Sequence, residues 1–545
     1  MNKFRLNRTT AIGLLTVGII TLTGVYLTTV HAEKSGIYSQ NGGTVTETDK
    51  TYAATSSDQS GIYVTNSGAY TLTNSEITKT GDTSSTDDSD SYGLNAGALA
   101  ESGSAVTLTD CTVTTDAKGA NGVFAYGESS SVLINNVTIT TSQDSSRGID
   151  ATYTGAITAN SCNITTAGDH SAAIASDHGA GTLIVRGGTF TTAGADSPPI
   201  YCTGAFEIMG ATLKGTGSEA AVIEGANSIT LSDCTLSGAK NRGVMIYQST
   251  SGDATETNGT FNMIGGSLTA ATGPLFYVTN STGNINLTAV TTTATSGTLL
   301  QAAADSWGAS GSNGGTAILT ASMQTMTGNL ICDSISSIIA TLKDGSSLTG
   351  AINTAALTLD DTSTWSVTGD SYLTSLNDAD ATFANIDDNG HTIYYDSSLA
   401  ANSWLGGSTY YLTDGGKITP GTPSASATPT VTASNTPEPS AMPSQTITIT
   451  IPTATVSPTA SATPSPTITI RPIATVRPTA TATPSPTIRP TATARPTATA
   501  MPSPTIRPTA TVRPTATATP SPSRRPSRNH WWWWPWPWQW WRWWR

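Results

Sequence analysis

Charged side chains are scarce, at 11% of the 545 residues, where a soluble domain carries about a quarter. Without long amphipathic Lys, Glu and Arg there is little to cover the outward faces of surface helices, which argues against a helical globule. Cysteine is scarce too, at five residues, and none stands near the N-terminal apolar segment to make a lipoprotein. P-loop, zincin and nucleophile-elbow patterns are absent, as is the calcium-binding GGxGxD nonapeptide. After the first 32 residues no second apolar run is long enough to span a bilayer.

Basic charge is missing from the body of the chain. Between Glu33 and Lys417 there are 36 acidic residues against 11 basic ones, whereas from Pro420 onward a single acid, Glu438, faces 11 arginines. An acidic body argues against nucleic acid as a partner, because phosphate binding needs clustered Lys and Arg.

What is present begins with an export signal. Lys3, Arg5 and Arg8 precede an uncharged stretch over residues 11–30, and Val30-His31-Ala32 presents small or short residues around a cleavage site. This layout predicts a secretory signal over residues 1–32, removed after Ala32, with everything downstream outside the cell. The 20-residue stretch is long enough to span a bilayer uncleaved, but its five Thr and three Gly weaken it as a permanent anchor.

Thr, Ser, Ala and Gly fill the body, with Gly alone at 51. Thr and Val suit a pleated, half-buried surface, and Gly, Asn and Asp supply turns, so the expected class is all-β. The body also repeats. LTNSEIT (residues 72–78), LTDCTVT (108–114), INNVTIT (134–140), VRGGTFT (185–191), IMGATLK (208–214), LSDCTLS (231–237) and MIGGSLT (263–269) fit one frame. The second apolar anchor passes through Val113, Ile139, Ile164, Phe190, Leu213 and Leu236 in steps of 26, 25, 26, 23 and 23. That period is the signature of a solenoid. A second motif, as in Gly122-Val123-Phe124 and Arg147-Gly148-Ile149, precedes the copies, so each unit holds at least two short strands.

The two anchors of the frame lie five residues apart, an odd number. An uninterrupted strand, whose side chains alternate with period two, cannot point both inward. The third position of the frame reads Asn74, Asp110, Asn136, Ser161, Gly187, Gly210, Asp233 and Gly265. These types most easily adopt positive φ. One left-handed residue per coil is therefore predicted to turn the chain between two faces and keep both anchors in the core.

On these motifs the chain resembles the right-handed parallel β-helix proteins, a group that includes pectate lyases and bacterial surface adhesins. The resemblance covers roughly residues 61–376 and implies three sheet faces per coil, with handedness in line with the strong preference of parallel crossovers. The predicted organisation is a parallel β-helix over residues 33–379 and a C-terminal cap over 380–419. The frame degrades from Ala351, and residues 385–420 look like the terminal unit of adhesin-like β-helices, which a solenoid needs to cover its last edge. Cys111, Cys162 and Cys234 each fall two residues before the second anchor, pointing inward from non-neighbouring coils. Coil spacing of about 4.8 Å places them too far apart for disulfides, which need Cα atoms within about 7 Å.

Residues 420–528 are a Pro/Thr/Ser/Ala-rich tract, read as a disordered, extended linker with no apolar periodicity. Residues 529–545 end in NHWWWWPWPWQWWRWWR. Trp favours membrane–water interfaces and Arg adds attraction to anionic lipid. Contact with a membrane or envelope surface is accordingly expected from Trp531, Trp532, Trp533, Trp534, Trp536, Trp538, Trp540, Trp541, Arg542, Trp543, Trp544 and Arg545.

The densest ionisable patch comprises Asp169, His170, Asp177 and His178, with Arg147 and Asp150 one coil earlier and Arg186 nearby. Asp169, His170, Asp177, His178, Arg147 and Arg186 are the candidates if the chain is a polysaccharide lyase or hydrolase, chemistry that needs clustered carboxylates with Arg, Lys or His. The Asp177-His178-Gly179 triplet only partly matches the GHG of pectin-hydrolysing relatives, and their paired-aspartate and Arg-Ile-Lys motifs are missing. Asp87-Asp88-Ser89-Asp90 reads as a solvated acidic insertion rather than a calcium loop. The expectation is thus a secreted, surface-attached, adhesin-like binding protein. It would use no catalysis, metal or cofactor, and its ligand would be an extracellular glycan or cell surface. A polysaccharide-degrading enzyme is the alternative. Ice binding is the second, suggested by the recurring TVTT, TITT and TFTT copies.

Overall fold

Residues 32–421 are described by the structure, a computed structural model. The predicted signal segment, most of the Pro/Thr-rich linker and the Trp/Arg tail lie outside the described residues.

The described chain winds into about fifteen turns of a parallel β-solenoid. One turn runs through Ala98–Glu101, Ala105–Thr109 and Thr112–Thr115. The next runs through Val123–Tyr126, Ser131–Asn135 and Thr138–Thr141. Each strand pairs in parallel with its equivalents one turn before and after, which produces three stacked faces.

The two anchor columns explain the core. Ile77, Val113, Ile139, Ile164, Phe190, Leu213 and Leu236 are consecutive partners on the third face. Leu72, Leu108, Ile134, Ala159, Val185, Ile208 and Leu231 do the same on the second. All of these are buried. The residue that turns the chain between the two faces is left-handed as predicted, with φ of 48° at Asn74, 52° at Asp110, 51° at Asn136, 54° at Ser161 and 68° at Gly187. Neighbouring bends also bond to one another, as where Asn136 Nδ2 donates to Asp110 Oδ1 at 2.7 Å. The corner from third face back to first demands glycine for a different reason. A Cβ on Gly122 would sit 2.5 Å from both the Gly148 carbonyl oxygen and Ile139 Cγ2, so chain and core side chain approach too closely for any other residue.

All five cysteines are free and buried, Cys111, Cys162 and Cys234 in the inward positions expected of them. Burial pushes the Cys202 and Cys332 thiols up to about 12, which keeps both protonated and inert.

Regular pairing starts earlier than the resemblance reached. Ser35–Asn41 already pairs with Gln59–Thr65, and Thr51–Ala54 with Glu76–Lys79. The first turn escaped the repeat because Glu47 and Tyr52 stand where later turns carry aliphatic anchors. Tyr52 and Tyr70 both donate to the Glu47 carboxylate, giving that end of the core a polar closure. At the other end Ala400–Leu405 forms a 3₁₀ turn beside Ser371–Asp378. Asn402 Oδ1 accepts from Leu376 N–H at 3.0 Å, Asn402 Nδ2 donates to the Thr374 carbonyl at 2.8 Å, and Trp404 Nε1 donates to the Leu376 carbonyl at 2.9 Å. Side chains thus satisfy backbone groups that another strand would otherwise take.

The segment read as a solvated acidic insertion is instead a short α-helix, Thr86–Tyr92. Ser85 caps it by accepting from Asp88 N–H at 3.1 Å, and Gly93 ends it in the left-handed conformation.

Candidate functional site

The outward positions of the first face are, in register order, Phe124, Asp150, Ala175, Tyr201, Val222, Met245 and Tyr277, of which Tyr201, Val222 and Met245 form the floor of a groove. The Thr86–Tyr92 helix, residues 249–256 and residues 303–313 project around this floor. They help to enclose about 870 Å³ lined by acids, two arginines, two histidines and aromatic rings.

Arg147 stands at its centre, buried, with Nε 2.6 Å from Asp177 Oδ2 and Nη1 donating to Asp90 on the inserted helix. Asp150 lies beneath, fully buried, and neither of its carboxyl oxygens has an aligned hydrogen-bond partner. Burial drives the Asp150 carboxyl well above its ordinary range, with Asp177 adding repulsion and Arg147 pulling it back. Burial likewise pushes Asp90 up, Arg147 pulling it back and Asp177 and Asp87 adding to the rise. Burial works against the Arg147 charge as well, yet Asp177, Asp90 and Asp150 outweigh it and hold the guanidinium firmly protonated.

A second arginine is clamped in the same way. Arg242 lies 3.4 Å from Glu219 and 2.6 Å from Asp305, with its guanidinium 4.3 Å from the Tyr277 ring centre. Between the two arginines Tyr201 and Tyr247 donate to the buried Glu224 carboxylate at 2.7 and 2.8 Å.

Aromatic rings gather at both ends. Tyr92 and Tyr153 stack at 5.5 Å and 14°, with Tyr126 edge-on to both and His178 4.9 Å from Tyr153. At the other end Trp307, partly exposed, lies 5.1 Å from Tyr247.

Of the six residues singled out from sequence, Arg147, His170, Asp177 and His178 line this groove. His178 Nδ1 is 3.2 Å from Asp253 Oδ1. His170 is at the exposed rim, 2.9 Å from Asp144. Asp169 and Arg186 are elsewhere. Asp169 is exposed on a turn, accepting from Ala195 N–H at 2.8 Å, and Arg186 points outward from the second face between Asn160 and Met209. Sequence reasoning missed Asp90, Glu219, Glu224, Arg242 and the aromatic ends. The one available signal was the run of carboxylates at Asp87–Asp90, whose partner Arg147 is 57 residues away. Among the described residues no group of His, Cys, Asp and Glu is arranged to hold a metal ion.

The third face carries the threonine copies outward. Thr112 and Thr138 are neighbours, as are Thr114 and Thr140, but Asn163 interrupts the first column and Lys214 the second.

Residues 1–261 match the family model of the right-handed β-helix region. The body of the chain is a right-handed parallel β-helix with repeats. No curated protein and no solved structure matches the chain.

Proposed function

We propose that the β-helix is the binding head of a secreted, surface-attached, adhesin-like protein, and that it holds an extracellular glycan in the groove on its first face without cleaving it. The observation that carries this reading is the pair of aromatic groups, Tyr92–Tyr126–Tyr153 and Tyr247–Trp307, at either end of a polar trough. A pyranose presents a C–H face that packs on a flat ring and hydroxyls that donate to carboxylates. Concave sites with flat apolar walls and a few convergent polar groups suit such ligands.

The hydrolase alternative rests on Asp90 and Asp177, two carboxyl groups near one groove. Both bind the same guanidinium, which suits a clamp that pins the inserted helix better than an acid and base free to move protons. Screening the full chain on a glycan array should find ligands whose binding falls at least about tenfold in Tyr153→Ala and Trp307→Ala, the loss of one good aromatic contact. Incubation with the same glycans should release no new chain ends. Release that disappears in Asp177→Asn would make the protein an enzyme instead.

Export by the N-terminal segment and attachment through the Trp/Arg tail belong to the same reading and rest on sequence. A chain ending at Arg528 is expected to leave the cell-envelope fraction for the medium, and equal partitioning of both forms would remove the tail's role.

A further inference from the structure

We infer, on the basis of the glycan-binding reading, that the groove selects a sugar chain bearing free amino groups and rejects uronic-acid chains. Both arginines of the groove are already paired. Arg147 is consumed by Asp90 and Asp177, and Arg242 by Glu219 and Asp305. Neither guanidinium presents an unpaired fork to a carboxylate on a ligand, which is what recognition of an acidic polysaccharide requires.

Negative charge, by contrast, is in surplus. Asp87, Asp90, Asp177, Asp196, Glu219 and Asp253 line the groove against those two arginines. Asp196 and Asp253 have side chains 72% and 38% exposed, so they are within reach of a ligand. A trough with low-dielectric walls and a net surplus of one sign of charge concentrates ligands of the opposite sign. The aromatic ends provide stacking for rings, which a flexible basic peptide would use only where it carried rings of its own. An amino sugar offers both features in one repeating unit, a stacking face and an ammonium group.

The test is titration calorimetry on the full chain at about pH 6, where a glucosamine amine is protonated. Four probes are compared: a glucosamine hexasaccharide, its N-acetylated counterpart, a galacturonate hexasaccharide and oligolysine. The glucosamine chain is expected to bind about tenfold or more tighter than the N-acetylated one, with the galacturonate chain not binding and the preference shrinking as salt rises. The double variant Asp196→Asn/Asp253→Asn should erase most of that preference, with an unchanged melting temperature showing that the fold is intact. Equal binding of the two glucosamine chains, or tighter binding of the galacturonate chain, overturns the inference and leaves the glycan reading standing. So does a preference that survives the double variant. Oligolysine binding as tightly as the glucosamine chain overturns it in favour of a basic peptide. Failure of all four probes overturns the glycan reading along with it.

Discussion

Phe190→Ala should lower the stability of the β-helix by about 3–5 kcal/mol, the cost of emptying a fully packed aromatic site. Phe190 has no exposed surface and stands between Ile164 and Leu213 in the inward column of the third face. The neighbouring strands are hydrogen-bonded above and below, so the coil cannot collapse into the void without breaking register. Because each coil touches mainly its neighbours, stability in a solenoid is close to a sum of local terms. Hydrogen exchange should therefore show the loss concentrated in Thr182–Thr192 and the strands paired with it, beside a lower denaturation midpoint. A change below about 1 kcal/mol, within reach of a conservative repacking, would mean that this column is not the core.

Arg147→Met should be nearly as costly, and most so at neutral and alkaline pH. The variant leaves Asp90 and Asp177 facing each other over the buried Asp150 with no cation between them. Removing one partner from a buried ion pair costs about 3–5 kcal/mol. The pH dependence follows from Asp90, whose carboxyl is raised to about 7 by burial, against the pull of Arg147. An unfolded Asp releases its proton near about 3.9, so between these values the native state binds the extra proton. Stability therefore falls as pH rises through that window. A protonated Asp90 needs no guanidinium, so the gap in melting temperature between parent and variant should be smaller near about pH 4 than near about pH 8. Asp90→Asn in the parent should flatten the slope that Asp90 contributes. Loss of amide protection in Thr86–Tyr92 is the accompanying sign, since Arg147 ties that helix to the groove. A penalty independent of pH would show that Arg147 acts by packing alone.

The repeat, its two inward columns, the left-handed bend and the inward cysteines were legible in the sequence, while the third face was implied only by the resemblance to β-helix proteins. The reason is that an inward position in a solenoid repeats its surroundings every coil. Val113 and Ile139 meet the same neighbours, so selection for packing writes the same residue type at the same offset. The bend is a constraint within five residues and is therefore local. Outward positions on the first face obey no such rule. There Phe124, Asp150, Ala175 and Tyr201 follow one another in register with no common chemistry. What each meets depends on which inserted segment folds over it. Only the tertiary structure could bring Asp90 to Arg147, Asp305 to Arg242 and Asp253 to His178, partners separated by 57, 63 and 75 residues. It also moved Arg186 to another face, because a residue on the second strand of a coil is turned away from the first however near it stands in the chain. Period and core are properties of each repeat, whereas the groove comes from the lengths of the segments that depart from it.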